Sequence, residues 1–227
     1  MPRIKRAVVV GMPHHITQRG NYKQRVFDCD KDRNQYLKWV EEYSKKYDVE
    51  IIAYCLMSNH VHFIVVPIKE ESIGKLFNTL HMRYSQYYNK KKKRNGHLWQ
   101  GRFYSCILDE YHLKEAARYV ERNPIRAKMV KRAEMWKWSS VRDNIGECYE
   151  GYREISIAGI KKYIKMDGRE WWEFINEKDK EEFVGDIRKA TNMSKALGKE
   201  GFIKNLEKKF GVSLKLVKRG RPAKKRK

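Results

Sequence analysis

Two apolar, β-branched runs lie back to back in this chain, VEIIAYCLM over 49–57 and HVHFIVV over 60–66, with only Ser58 and Asn59 between them and Pro67 closing the second. Runs this short and this rich in Val and Ile read as buried strands. A two-residue polar break between two such runs predicts an antiparallel hairpin. In a strand, residues i and i+2 share a face, so His60 and His62 point one way and Val61 the other. The strand rise sets the two imidazoles roughly 7 Å apart, close enough to converge on one cation. Alone, the pair also fits a hydrogen-bonded surface histidine plus a spacer, and the rest of the chain has to decide.

The flanking segments extend the pattern. A strand is expected near 14–18, ended by the turn pair Gly20-Asn21. Asp28 or Asp30 then caps a helix whose apolar positions Tyr36, Leu37, Val40, Tyr43 and Tyr47 recur at helical spacing. A second amphipathic helix over 73–88 presents Ile73, Leu76, Phe77, Leu80, Tyr84, Tyr87 and Tyr88 as a core stripe. Residues 103–108 read as a further strand, and Asp109 caps the helix EYHLKEAARYVERN, which Pro124 ends or kinks. The order β-α-β-β-α-β-α is the split-βαβ, ferredoxin-like arrangement: an α+β fold with an antiparallel sheet and helices on one face. Trp136, Trp138 and Ser139-Ser140 are expected to close the core. The expected organisation is a main domain over 1–150, a small helical extension over 151–216 with pieces near 171–174 and 202–210, and a basic tail over 217–227 that composition marks as disordered.

Charge narrows the partner. Lys and Arg number 51 against 28 Asp and Glu, a formal charge of +23, which predicts a polyanion. No apolar run reaches transmembrane length. The N-terminal patch is too short for a signal-peptide core and Pro13 interrupts it, so a cytoplasmic protein is expected. Cys29, Cys55, Cys106 and Cys148 are widely separated without a C-x-x-C pair, which points to reduced thiols and not to a disulfide frame or a zinc site. With no clear lipid-facing helix or lipidation signal, nucleic acid is the expected partner and a membrane is not. The run Lys90–Arg94 precedes Trp99, Arg102 and Phe103, and basic residues interleaved with aromatics suit single-stranded nucleic acid. Arg19, Lys91, Lys92, Arg94, Arg102 and Arg126 are candidate phosphate binders. In the tail, Arg219-Gly220-Arg221-Pro222 matches the core of an AT-hook, in which Arg219 and Arg221 enter an A·T-rich minor groove. A blander account of the same tail is salt-sensitive affinity without sequence preference.

On the helix after Asp109, Leu113, Ala116, Ala117 and Val120 form the buried stripe, with Tyr119 and Asn123 together on its flank. If this helix lies over the histidine strand, His60, His62 and the Asn123 amide oxygen supply three ligands to a divalent ion, an N/O set suited to Mn²⁺ or Mg²⁺. His14, His15, His81 and His97 read as structural or surface residues, and His112 as a surface residue at a helix start.

Taken together these segments resemble a known family. SNHVHFIV resembles the HUH signature (His, hydrophobic, His), and ARYVERNPIRAKMV resembles the tyrosine helix of the single-tyrosine HUH transposases. HITQRGN, LMSNHVHFIV, HLWQGRFYS, YVERNPIRAKMV and WKWSS, in that order, resemble the REP-associated, IS200-like tyrosine transposases over about residues 1–145. Some insertion-sequence relatives place Gln four residues after the tyrosine, where this chain has Asn123, the same oxygen on a shorter arm. The resemblance implies metal-dependent nicking of single-stranded DNA near a hairpin, by a monomer or a homodimer. Tyr119 would attack the scissile phosphorus, take a 5′-phosphotyrosyl link and free a 3′-hydroxyl that later reseals, with no nucleotide cofactor. A phenol of pKa about 10 needs help at neutral pH, and a divalent ion on His60, His62 and Asn123 would neutralise developing charge. Because ligating imidazoles must be neutral, activity is expected to fall in mild acid. Two rivals are a non-catalytic, domesticated hairpin-binding regulator and an RNA-binding ferredoxin-like protein. The second would expose paired aromatics on two strands, where this chain has a His-x-His strand.

Overall fold

A computed structural model describes residues 6–147, 157 and 159–216. Its strands are β1 (His14–Arg19), β2 (Val49–Leu56), β3 (His60–Pro67), β4 (Tyr104–Leu108) and β5 (Ala196–Leu197); its helices are α1 (Asp30–Lys46), α2 (Ser72–Lys91), α3 (Glu110–Glu121), α4 (Asn123–Arg126), α5 (Val141–Ile145), α6 (Gly168–Asn176), α7 (Glu181–Asn192) and α8 (Glu200–Phe210). The expected hairpin forms at Ser58-Asn59, with Cys55 opposite His62 across β2 and β3. The sheet order is β2-β3-β1-β4-β5, so its first four strands have the ferredoxin-like order, all antiparallel, and the two-residue β5 adds in parallel to β4. The α+β class inferred from the sequence holds.

One detail differs: helices cover both faces of the sheet. Val61, Phe63 and Val65 pack in a core with α1 and α2 residues such as Tyr36, Val40, Leu76 and Phe77. Ile64 and Val66 pack on the other side, with Leu113, Ala116 and Val120 of α3, Trp171 of α6 and Ile187 of α7. The cause is visible in the strands. A run apolar at every position has two faces to hide, whereas one-sided cover goes with alternation. A smaller cluster seats Leu206 of α8 against Ile107 and Val9. On the outer edge of β2, Leu56 N donates to Trp138 O at 2.8 Å and Ser140 N to Tyr54 O at 3.0 Å, so the Trp136–Ser140 segment closes the core as expected and covers an edge open to stray pairing.

Capping follows local chemistry with one shift. Asp109 caps α3, its Oδ1 accepting from His112 N at 2.9 Å. At α1 the N-cap is Cys29 and not Asp28 or Asp30; the Asp32 carboxylate accepts from Asp28 N at 3.0 Å and Cys29 N at 3.3 Å, doing the work from inside the first turn. Among the described residues no helix is long and apolar enough to cross a membrane.

Glu121, fully buried at the end of α3, ties three helices to the sheet. Its Oε1 accepts from Ser140 at 2.5 Å and Asn144 at 2.6 Å, and its Oε2 from Trp171 Nε1 at 2.8 Å. Burial pushes its pKa up to about 7. Trp171→Ala removes a fully buried indole and leaves this carboxyl short of a donor. The expected cost is about 3–5 kcal/mol, read as a lower urea midpoint. A midpoint unchanged from the parent would mean that α6 does not share the stability of the sheet.

Candidate active site

Strand alternation decides which polar groups meet. On β1, Ile16 points into the α1/α2 core, so His15, Thr17 and Arg19 take the opposite face. On β3, Val61 and Phe63 point into that same core, so His60 and His62 share the face of His15. The register sets Thr17 opposite His62 and Arg19 opposite His60. Between these strand ends and the helices over this face lies a cleft of about 520 Å³ whose lining includes His15, His60, His62, Tyr119 and Asn123. The structure therefore brings together the two histidines, the tyrosine and the asparagine singled out in the sequence.

The distances are short. The His60 and His62 rings lie 5.0 Å apart at 80°, and the Tyr119 ring meets His62 edge-on at 5.8 Å. Asn59 Nδ2 donates to Lys23 O at 3.1 Å, which fixes its amide orientation and turns Oδ1 toward His60 Nδ1 at 2.6 Å. An amide oxygen only accepts, so His60 carries its proton on Nδ1 and its lone pair on Nε2. Asn123 Nδ2 reaches Tyr119 O at 3.5 Å, leaving Oδ1 as an acceptor. Burial lowers the His60 pKa to about 4, with the Arg19 charge adding to the effect, and drives His62 well below its usual value, helped by His60, His15, Arg126 and Arg19. Both rings are neutral at physiological pH. Two neutral imidazoles and an amide oxygen are a donor set that fits a divalent ion.

Tyr119 is 4 % exposed and is held from several sides. Its ring also meets His15 edge-on at 5.7 Å. The Arg126 guanidinium lies 4.2 Å over the ring centroid, a cation–π contact. Arg126 also donates to the Tyr119 carbonyl and to Asp179 Oδ1 at 3.3 Å. Asp179 in turn takes Arg122 Nε at 3.0 Å. Arg126 thus packs against the tyrosine beside Asp179, a carboxylate that it shares with Arg122.

The other candidate cations divide. Arg19 stands exposed on the cleft lining. Lys91 is committed to the buried Asp32 at 2.6 Å, Lys92 to Asp28 at 2.8 Å, and Arg94 donates to Gln24 Oε1 at 3.0 Å; these three lie around the end of α2 and do not line the cleft. Arg102 lines a second cleft of about 550 Å³ with Trp99 and Phe103, and Gln100 borders both clefts. Arg219 and Arg221 lie outside the described residues. Sequence reading missed His15, and it missed Arg188, Thr191 and Asn192 of α7, all of which line the first cleft. The phase of His15 with Thr17 and Arg19 was readable, but its place beside His62 follows from the β1–β3 register. Nothing local marks α7 as part of a site.

The fold and the site define a ferredoxin-like α+β protein with a cleft lined by histidines, a tyrosine and an asparagine. The family model described as "Transposase IS200 like" matches residues 8–123, just over half of the chain, from before β1 to Asn123. The chain belongs to the IS200-like transposase family, and it is a transposase. Among solved structures it is similar to a REP-associated tyrosine transposase bound to a REP hairpin, with a TM-score of 0.51 and 15% identity over 70% of this chain and 93% of that one. At that identity the likeness is one of fold. A putative transposase from Deinococcus radiodurans R1 aligns with a TM-score of 0.38 and 15% identity, over 53% of this chain and 97% of that one. No curated protein matches the chain.

Proposed function

We propose that this transposase cuts and rejoins single-stranded DNA beside a hairpin of the REP type, with Tyr119 as the nucleophile. The observation that carries the reading is the meeting of Tyr119 with His62 at 5.8 Å in a cleft that also holds His60 and Asn123. In the reaction the Tyr119 phenol oxygen forms a bond to the scissile phosphorus. The bond from phosphorus to the 3′ oxygen breaks, the 3′ oxygen takes up a proton and the phenol gives one up. The 5′ side of the break stays on the enzyme as a phosphotyrosine. A later attack by a 3′-hydroxyl reverses these steps, so the ester is conserved and no nucleotide is consumed.

His60, His62 and Asn123 would hold a divalent ion, Mg²⁺ or Mn²⁺, which when bound supplies positive charge at the non-bridging oxygens of the phosphate. The other residues act on their own account. Arg126 and the histidine rings hold the phenol ring in one orientation, so little is lost in aligning it for attack. Arg19 offers an exposed charge on the cleft lining for a flanking phosphate. Tyr119, His60, His62 and Asn123 of one chain line the same cleft, which supports a site that a single chain can assemble.

The test is a labelled hairpin with a single-stranded flank, incubated with Mg²⁺ or Mn²⁺ and with chelator. Nicking is expected with either metal and absent with chelator, and His62→Ala is expected to lower it by at least about 100-fold. Undiminished nicking in chelator would sink the metal-dependent reading. Tight binding without nicking under any metal would leave a hairpin-binding regulator.

A further inference from the structure

We infer that His15 and Thr191 are positioning residues that lock His62 in the tautomer able to present Nε2 to a cation, so that α7, outside the family-matched segment, helps set metal affinity. The inference rests on the proposed role of His62 as a ligand.

The His15 and His62 rings lie side by side and nearly coplanar, with centroids 5.1 Å apart and planes within 4°. His15 Nε2 lies 2.9 Å from His62 Nδ1, and His15 Nδ1 lies 2.7 Å from Thr191 Oγ1. His15 and Thr191 are 1 % exposed and His62 is 5 % exposed, so water does not compete for these contacts. Each neutral imidazole carries one N–H. The pair therefore has two self-consistent arrangements. In the first, His62 Nδ1–H donates to His15 Nε2, and His15 Nδ1–H donates to Thr191. In the second, every donor is reversed, and His62 carries its proton on Nε2, which blocks ligation.

Ligation through Nε2 requires the first arrangement, in which His62 Nδ1–H donates to His15 Nε2 and His15 Nδ1–H donates to Thr191 Oγ1. The His62 Nε2 lone pair is left unprotonated. Asn59 does the equivalent for His60 through one contact. Outer partners of this kind fix ring orientation and basicity in metal sites.

The experiment measures Mn²⁺ binding calorimetrically on the full chain, together with the ¹⁵N signals of the His62 ring in metal-free protein. In the parent the proton is expected on His62 Nδ1. Thr191→Val, nearly isosteric and less disruptive than a change at the buried His15, is expected to weaken Mn²⁺ several-fold and to mix the His62 tautomers. Thr191→Ser is expected to restore both. His15→Ala is expected to weaken Mn²⁺ by about 10–100-fold, and His62→Ala to abolish binding at the site. If His62→Ala abolishes binding while Thr191→Val and His15→Ala bind Mn²⁺ within twofold of the parent, or if the parent carries the proton on Nε2, the relay is wrong and the metal site stands. If His62→Ala binds Mn²⁺ as the parent does, the metal reading and the relay fall together.

Discussion

Replacing Tyr119 with phenylalanine is expected to remove strand cleavage and to leave the fold and hairpin binding intact. The ring keeps its edge-on contacts with His15 and His62 and the Arg126 guanidinium over its face. Only the phenol oxygen is lost, and among the described residues no hydrogen bond engages that oxygen. The variant should therefore melt within about 1 °C of the parent, since nothing buried is left unpaired. Hairpin affinity should stay within about twofold, because one phenol oxygen contributes little beside many phosphate contacts. Cleavage should drop by at least about a thousandfold, the scale of losing a nucleophile. The control is Tyr104→Phe. Tyr104 lines the same cleft, and it is the tyrosine to suspect if Tyr119→Phe still nicks as the parent does.

The second large effect is on the fold itself. Burial lowers the pKa of His14 to about 4, His15 to about 3, His60 to about 4 and His81 to about 3, and takes His62 well below the usual 6.5. For a histidine depressed in the folded state, the stability is whole above the unfolded pKa of 6.5 and is lost as pH falls toward the folded value. At pH 5 each of the four rings held at about 3–4 disfavours the folded state by about 2 kcal/mol, and His62 adds in the same direction. Together they demand a large part of the roughly 5–15 kcal/mol that a typical domain holds. Glu121 acts in the opposite sense. Its raised pKa gives stability that is whole below the unfolded carboxyl value and is lost as pH rises through about 7, and it offsets roughly one histidine. Without added metal the protein should unfold cooperatively between about pH 6 and 4.5, followed by tryptophan fluorescence and far-UV circular dichroism. A native spectrum unchanged at pH 4 would contradict this. The sequence led to an expected loss of activity in mild acid through protonation of the ligands. Burial moves that protonation down to about pH 4 and below, so the acid limit belongs to the fold as a whole.

What was legible in the sequence was mostly local. The hairpin at Ser58-Asn59, the shared face of His60 and His62, the Asp109 cap and the stripe of α3 each depend on residues a few positions apart, and periodicity carries that information. The ferredoxin-like order followed from the sequence of those elements. What escaped depends on distant pairing. His15 reaches His62 through the register of two strands that are not consecutive in the chain. Thr191 reaches His15 across a separation of 176 residues. Arg126 was singled out by residue type alone, while its partner Asp179, which lies in a stretch without a motif, shows only in the fold. Cover on both sheet faces was hinted at by unbroken apolar runs, but a run alone does not say which helix supplies the cover.

The most direct test of the account is the mass of the DNA-linked tryptic peptide recovered after cleavage of a hairpin with a single-stranded flank. The account predicts a nucleotide joined through its 5′ phosphate to the peptide that carries Tyr119, with the released strand ending in a 3′-hydroxyl. A nucleotide on any other residue, or one joined through its 3′ end, would contradict it.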